Sequence, residues 1–118
     1  MKISEKDRVV LGKILDEIKS IESNIAGYTF EKFMETDILK RGIAMTLINI
    51  GELARHISKE FRDAAKEMPI KSMIAMRDVA AHGYLTLKFF NVWETIQKDI
   101  PDLKTKVEKL INVGRIGL

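Results

Sequence analysis

Apolar side chains recur every three or four residues along almost the whole chain, and no run alternates apolar and polar residues as a strand would. The first stripe of this kind consists of Val10, Leu11, Ile14, Leu15, Ile18, Ile21 and Ile25. Ser4 is a plausible N-cap for it, with Asp7 three residues later, and Gly27 closes it. The pattern therefore predicts that the chain begins with an amphipathic helix.

A second and longer stripe predicts one long helix in the middle of the chain. Its members are Leu39, Ile43, Leu47, Ile50, Ala54, Ile57 and Phe61. Phe30 and Phe33 precede it, either on its first turns or on a short lead-in helix. A third, shorter helix begins after Pro69 and carries Ile70, Met73, Ile74 and Met76.

The last third of the chain predicts two more helices. Thr86 is placed to cap a fourth helix that carries Phe89, Val92, Trp93 and Ile96. Pro101 interrupts that periodicity, and Leu103, Val107, Leu110 and Ile111 resume it. The sequence therefore predicts an all-α bundle of four or five helices, built as one domain over residues 1–118, with residues 113–118 as a loose tail.

Composition excludes several classes of site. The chain has no cysteine, which rules out a disulfide scaffold, an iron–sulfur cluster and a thiolate zinc site. It has only two histidines, which argues against a multi-histidine metal centre, so we expect neither a metal nor a cofactor. The charged N-terminus lacks the apolar core of a signal peptide, and the longest apolar stretch, residues 43–50, is too short to span a membrane. We therefore expect a cytoplasmic protein with no membrane partner.

The segment from Arg77 to Tyr84 stands apart, because it holds an arginine, a histidine and a tyrosine within eight residues. On an unbroken helix Arg77 and Tyr84 would share a face, whereas His82 would lie about 140° round from Arg77. If Gly83 ended the helix as a left-handed residue, the chain would turn back and the three groups could face one cleft. Arginine is suited to bind phosphate, and histidine can transfer protons near neutral pH. The alternative is ordinary packing at a helix end, with Arg77 paired to a surface acid.

The order of motifs along the chain resembles a known family. Arg77-x4-His82-x-Tyr84 resembles the Arg-x4–6-His signature of the HEPN superfamily, and its Arg-x4-His-x-Tyr form is similar to the HepT toxins. Asn49-Ile50-Gly51-Glu52, Met76 before the arginine, Val92-Trp93 and Ile100-Pro101-x-Leu103 extend the similarity over most of residues 5–112. The resemblance implies a HEPN-like bundle.

The resemblance also implies an activity and partners. It implies a metal-independent endoribonuclease, acting as the toxin of a type VII toxin–antitoxin system, in which a ribose 2′-OH attacks the adjacent phosphate of RNA. Arg77 would hold the phosphate and His82 would move the proton. An MntA-like nucleotidyltransferase antitoxin would be the partner and would adenylylate Tyr84. Asp78 stands where some family members have asparagine and could orient His82 or Arg77, although its charge would weaken phosphate binding.

The chemistry itself favours a homodimer. In-line transesterification benefits from a base on the 2′-OH and an acid on the leaving oxygen. The motif of one chain offers one histidine, and a two-fold axis past the ends of the third helices would supply a second His82 and a second Arg77 to one cleft. His56 is the other histidine of the chain, and its better interpretation is an exposed surface residue.

Other polar residues carry weaker predictions. Glu52 could line the cleft or buttress Arg77, or could be a partly buried group satisfied by a helix end. The methionines Met45, Met68, Met73 and Met76 are expected in the core or an interface. A basic ridge on the second helix could follow an RNA backbone, although interleaved acids favour a plain solvated face. The ridge consists of Arg55, Lys59, Arg62 and Lys66.

Three functions therefore remain open at this point. The first is the endoribonuclease toxin that uses Arg77 and His82. The second is a catalytically inactive HEPN-like subunit that binds RNA or a nucleotide and forms a complex with a nucleotidyltransferase, a reading that Asp78 favours. The third is a structural bundle that dimerises through apolar helix faces, for which Arg77, His82 and Tyr84 would point apart.

Overall fold

The computed structural model describes residues 1–115, and its α-helices surround one apolar core. The helices are α1 (Glu5–Ile25), α2 (Phe30–Glu35), α3 (Asp37–Arg55), α4 (Lys59–Ala64), α5 (Ile70–Thr86), α6 (Phe89–Glu94) and α7 (Ile100–Val113). A π-helical turn, Thr95–Asp99, joins α6 to α7, so that the three segments run as one long helix. The prediction of an all-α bundle is confirmed.

The first helix forms as predicted. The Ser4 hydroxyl accepts a hydrogen bond from the Asp7 N–H at 3.1 Å, which caps the N-terminus of α1. The turn that follows α1 contains Gly27 at a φ of +77°, a conformation that glycine adopts without steric cost. Phe30 and Phe33 lie on the separate helix α2, so the lead-in helix is confirmed as well.

The single long helix predicted from Leu39 to Phe61 is wrong. The chain leaves the helix after Arg55 and begins α4 at Lys59, with Ser58 as its N-cap. Ser58 donates to the Asp7 carboxylate from its N–H at 2.9 Å and from its hydroxyl at 2.6 Å. Asp7 is only 1% exposed, so this contact between distant parts of the chain fixes the break. Phe61 nevertheless reaches the core, because the apolar spacing continues across the break.

The end of α5 also differs from prediction. Gly83 does not stop the helix, which continues to Thr86 and ends where Leu87 adopts a left-handed φ of +59°. Gly83 is instead a packing residue, since a Cβ there would lie 2.8 Å from Cγ2 of Val92. Thr86 does not cap α6 either. Its hydroxyl donates to the His82 carbonyl at 2.7 Å, and Lys88 precedes the first residue of α6.

The region of Pro101 forms a wide helical turn. Proline has no N–H and its ring clashes with the carbonyl four residues earlier, so a regular α-helix would be disrupted there. The π-helical turn absorbs this conflict, with the Ile100 N–H bonded to the Thr95 carbonyl. The predicted last helix is confirmed as α7, which has Pro101 in its first turn, but the chain stays helical across the interruption.

The loose tail was predicted to begin too early, at residue 113. Val113 is the last residue of α7, the Gly114 carbonyl accepts from the Ile3 N–H at 3.2 Å, and Arg115 pairs with Lys2 in an isolated β-bridge. Residues 116–118, the rest of that prediction, lie outside the described residues.

Of the four methionines predicted in the core or an interface, Met68, Met73 and Met76 are buried in the core, whereas Met45 is 56% exposed. Within residues 1–115, no helix has the length and apolar character needed to cross a bilayer.

Candidate functional site

Arg77, His82 and Tyr84 all lie on α5, and they do not converge. The buried face of this helix carries Met73, Met76, Ala80 and Gly83. Because the helix continues past Gly83, the directions of Arg77 and His82 differ by about 140° around its axis. Arg77 and Tyr84 lie on the flank that packs against α3, and His82 lies on the flank that faces α6 and the π-helical turn. The predicted convergence in one cleft of a single chain is wrong.

Close packing of α3 against α5 fixes Arg77. Gly51 lies where the two helices meet, and a Cβ at this position would be 2.9 Å from the Cβ of Arg77 and 3.0 Å from the Ile74 carbonyl. One residue further on, the Glu52 carboxylate lies 3.0 Å from Nε of Arg77. The same carboxylate oxygen is 3.9 Å from Nη1 of Arg55. Glu52 therefore contacts Arg77, which agrees with the prediction that it buttresses the arginine, and the Arg77 side chain remains 50% exposed.

His82 is exposed and borders an open cleft of about 500 Å³. The cleft lies between α5 and the helical segment that contains the π turn. Its lining includes Asp78, His82, Asn91, Glu94, Lys98 and Asp99. Three carboxylates against one lysine make this cleft electronegative, and the lysine is itself paired with Glu94 at 3.2 Å. Sequence reasoning placed Asp78 near His82, but it missed Asn91 and Lys98, because only the tertiary fold brings them to the histidine.

Tyr84 is half-buried at the other side of α5, between an aromatic ring and a cation. The Phe89 ring meets it edge to face, with centroids 6.1 Å apart, and the Arg41 guanidinium carbon lies 5.4 Å from the Tyr84 centroid. Arg41 also donates from Nε to the Asp37 carboxylate at 2.9 Å. This hydrogen bond raises the pKa of the Arg41 guanidinium and lowers the pKa of the Asp37 carboxyl from their ordinary values.

Sequence reasoning missed Arg41. The spacing of Asp37 and Arg41 indicates a helical ion pair, but nothing along the chain places that pair beside Tyr84.

Comparison with known proteins identifies the family. The family model described as "Ribonuclease HepT-like" matches residues 14–110. The chain belongs to the HepT-like ribonuclease family. The motif from Arg77 to Tyr84 and the helix contact at Gly51 and Glu52 both lie within the matched residues. The class of activity is accordingly that of a ribonuclease, and the fold is the all-α fold expected for a HEPN-like protein.

Several curated proteins are similar over most of their length. A protein of Thermococcus cleftensis named "Probable ribonuclease HepT" is 34% identical over 110 residues, which cover 93% of this chain and 98% of that protein. A protein of Caldanaerobacter subterraneus whose name describes a candidate RNase is 34% identical over 104 residues, or 88% of this chain and 93% of that protein. A similarly named protein of Methanocaldococcus jannaschii is 30% identical over 104 residues, or 88% and 86% of the two chains. No solved structure matches the chain.

The basic ridge predicted on the second helix of this HepT-like chain does not form, because the break at Ser58 separates its members. Arg55 ends α3, Lys59 and Arg62 lie on α4, and Lys66 is exposed in the turn after α4. Arg62 donates from Nη2 to the carbonyls of Ala54 at 3.4 Å and Arg55 at 3.1 Å, and so satisfies the C-terminal end of α3. Lys59 pairs with Asp63 at 3.0 Å.

His56 is exposed, as predicted, and it borders a different cleft between α1 and α3, together with Asn49 and Glu52. One chain of this HepT-like ribonuclease therefore offers a fixed arginine and an exposed histidine on opposite flanks of one helix. An arginine so held can bind a phosphate with its two terminal nitrogens, and an exposed imidazole can transfer a proton.

Proposed function

We propose that this HepT-like ribonuclease is the toxin of a type VII toxin–antitoxin system and cleaves RNA without a metal at a composite site of a homodimer. The divergence of Arg77 and His82 is also what a purely structural bundle predicts, but the match of residues 14–110 to the HepT-like ribonuclease family favours the enzyme. The observation that carries the composite site is the position of Arg77 and His82 on opposite flanks of α5. Neither flank has both groups, so a phosphate bound by one Arg77 requires a histidine from a second copy.

The exposed end of α5 supports a second copy. Large apolar side chains are exposed there, with Leu87 at 75% and Phe90 at 56%. Leu87 also has a left-handed backbone, an uncommon conformation for a bulky residue. This backbone ends α5, with the Lys88 N–H bonded to the Gly83 carbonyl at 2.9 Å, and the apolar side chain that it exposes is available for a contact between protomers.

The proposed chemistry is transesterification. The His82 of the second copy takes the proton of the ribose 2′-OH, whose oxygen attacks the adjacent phosphorus, and the bond from phosphorus to the 5′ oxygen breaks. The imidazolium so formed gives this proton to the leaving 5′ oxygen, so the products are a 2′,3′-cyclic phosphate and a free 5′-OH. Arg77 neutralises the charge that develops on the phosphate, Glu52 orients Arg77, and Asp78 orients His82.

The proposed regulation acts on Tyr84. An MntA-like nucleotidyltransferase would adenylylate its hydroxyl and thereby add bulk and negative charge to the flank of α5 that also carries Arg77, where the RNA has to bind. A two-gene pair of this kind predicts that expression of the chain alone arrests growth, and that co-expression of the nucleotidyltransferase or a His82→Ala substitution relieves the arrest.

The test is cleavage of tRNA and mRNA by the purified protein in the presence of a chelator. We expect cyclic phosphate and 5′-OH ends, and losses of about 10²-fold or more for Arg77→Ala and for His82→Ala. His56→Ala is the matched control, since it also removes an exposed histidine, and it should retain activity. Activity that disappears with the chelator, or that survives His82→Ala, would contradict the mechanism.

The runner-up is a catalytically inactive subunit that binds RNA or a nucleotide and forms a complex with the nucleotidyltransferase. The electronegative cleft at His82 favours it, because Asp78, Glu94 and Asp99 repel a phosphate. A stable complex with the nucleotidyltransferase, together with no cleavage of any RNA by the wild-type protein, would support this function over the enzyme.

A further inference from the structure

A groove with a volume of about 410 Å³ lies between α3 and α5, on the flank of α5 that also carries Arg77. Arg41 lies over the Tyr84 ring in this groove, and Arg77 meets Gly51 and Glu52 about two helical turns away. The groove is lined by Arg41, Ala44, Met45, Ile48, Ala81, Tyr84 and Leu85.

The charge of this groove contrasts with that of the cleft on the other flank of α5. The lining of the groove has one cation, Arg41, which is bonded to the Asp37 carboxylate at 2.9 Å, whereas the His82 cleft is lined by three carboxylates and one lysine. A second cation lies nearby, since the Lys40 ammonium is 4.9 Å from the centroid of the Phe89 ring, which packs on Tyr84. The α3 flank is therefore less negative than the α6 flank, and a polyanion is bound more favourably there.

We propose that the groove between α3 and α5 binds the single-stranded RNA substrate beyond the scissile phosphate, with Arg41 as a second phosphate contact. The apolar floor formed by Met45, Ile48 and Ala81 receives an unstacked base, and Arg41 exchanges part of its contact with Asp37 for the phosphate of that nucleotide. Sequence-tolerant binding of single-stranded RNA combines these two elements, an apolar or aromatic surface for the base and a cation that follows the backbone.

The spacing of the two arginines fits a strand of RNA. Arg77 and Tyr84 are seven residues apart on α5, so the Arg77 end and the Arg41 end are separated by about 10 Å along the helix axis. A stacked strand advances about 3.4 Å per nucleotide, so about three stacked nucleotides, or fewer in an extended strand, connect the two contacts. The proposal rests on the proposed function to the extent that Arg77 holds the scissile phosphate.

The test measures binding instead of cleavage, in the His82→Ala background. The probe is a short fluorescent single-stranded RNA of mixed sequence, and its affinity is measured by anisotropy between 50 and 200 mM salt. Loss of one phosphate contact makes the slope of log affinity against log salt less steep by about 0.7. Between 50 and 200 mM salt, the factor by which the affinity falls should therefore be about two- to threefold smaller for Arg41→Gln than for its parent. The matched control is Lys106→Gln, since Lys106 also pairs with an acid four residues away, Asp102 at 3.0 Å, but lies on α7. It should leave the slope unchanged.

A second variant tests the groove floor. Met45→Glu places a carboxylate at the groove and should weaken RNA binding more than Arg41→Gln does, without changing the mass measured by sedimentation. Val9→Glu is its control, because Val9 is exposed to a similar extent, 47% against 56%, on α1. Dissociation of a dimer by Met45→Glu alone would show that a second copy covers the groove and would overturn the proposal.

The outcomes separate this proposal from the proposed function. If the wild-type protein cleaves RNA and Arg41→Gln leaves the salt slope unchanged, RNA binding in the groove is contradicted and the ribonuclease function stands. If the wild-type protein never cleaves RNA and Arg41→Gln lowers the slope, RNA binding in the groove is supported and the ribonuclease function is contradicted.

Discussion

The two flanks of α5 hold the two central residues of one short motif under different constraints. On the α3 flank, Arg77 lies at a helix contact that admits no side chain at Gly51, and Glu52 holds its Nε at 3.0 Å. On the α6 flank, His82 is exposed at an open cleft with three carboxylates. The arginine is positioned by its own chain, whereas the histidine is presented outward. A motif that is contiguous in sequence therefore need not form a site within one chain.

Dimers that combine an Arg77→Ala protomer with a His82→Ala protomer should show the largest effect, a recovery of RNA cleavage. Arg77→Ala and His82→Ala homodimers each lack one of the groups at every site. A mixed dimer of the two contains one intact Arg77 and one intact His82, on different chains. We therefore expect the mixture, after subunit exchange, to cleave RNA about tenfold faster or more than either variant alone.

The control for this experiment is a mixture in which one variant carries both substitutions, since its dimers with either single variant lack one group entirely. Absence of any gain from mixing the single variants, with exchange verified by mass, would place Arg77 and His82 of one chain in the same site and contradict the composite arrangement.

Two glycines at helix contacts of α5, Gly51 on α3 and Gly83 on α5 itself, give the next largest effect. A Cβ at Gly51 meets Arg77 and one at Gly83 meets Val92, at 2.9 and 2.8 Å. Overpacking of this kind costs about 1–3 kcal/mol, so Gly51→Ala and Gly83→Ala should both lower the free energy of unfolding in urea. Gly51→Ala should also reduce cleavage, because it displaces Arg77 from Glu52.

Gly12→Ala is the matched control for both substitutions. Gly12 lies within α1 with nothing within 4 Å of a Cβ, so alanine there should stabilise the helix by about 0.5–1 kcal/mol. A neutral or stabilising Gly51→Ala with full activity would show that the contact of α3 with α5 does not position Arg77.

These glycines also show what could be predicted from sequence. The helical class, the cap at Ser4 and the separate helix of Phe30 follow from local patterns, and the structure agrees with them. The role of Gly83 could not be predicted, because a glycine that ends a helix and one that admits a neighbouring helix look alike along the chain. Its misinterpretation is the reason that Arg77 and His82 were expected in one cleft.

The break in the helix at Ser58 could not be predicted from the sequence for a related reason. Apolar spacing continues from Ala54 to Phe61, and only the bonds of Ser58 to Asp7, which is 51 residues away, divide the helix. The predicted basic ridge required one continuous helix, so it does not form once the helix is broken. Arg41 was missed in the same way, since its approach to Tyr84 is a tertiary contact between α3 and α5. Local patterns therefore identified the motif residues, but long-range contacts decided which of them lie together.

The smallest effect concerns two exposed leucines at the end of α5, between the two flanks. Leu87 has a φ of +59° and is 75% exposed, whereas Leu85 is 80% exposed inside the helix. Left-handed backbone costs a leucine about 1–2 kcal/mol, and glycine avoids this cost but loses about 0.5–1 kcal/mol in chain entropy. Leu87→Gly should therefore stabilise the protomer by about 0.5–1 kcal/mol, and Leu85→Gly should destabilise it by about 1 kcal/mol.

Chemical denaturation at several protein concentrations measures both effects and separates protomer stability from association. If the strained leucine is retained for a contact between protomers, Leu87→Gly should raise the dissociation constant of the dimer while it stabilises the protomer. If Leu87→Gly lowers protomer stability as Leu85→Gly does, the backbone at Leu87 carries no strain. If it also leaves the dissociation constant of the dimer unchanged, the end of α5 contributes nothing to the interface. The two flanks would then have to be joined through another surface.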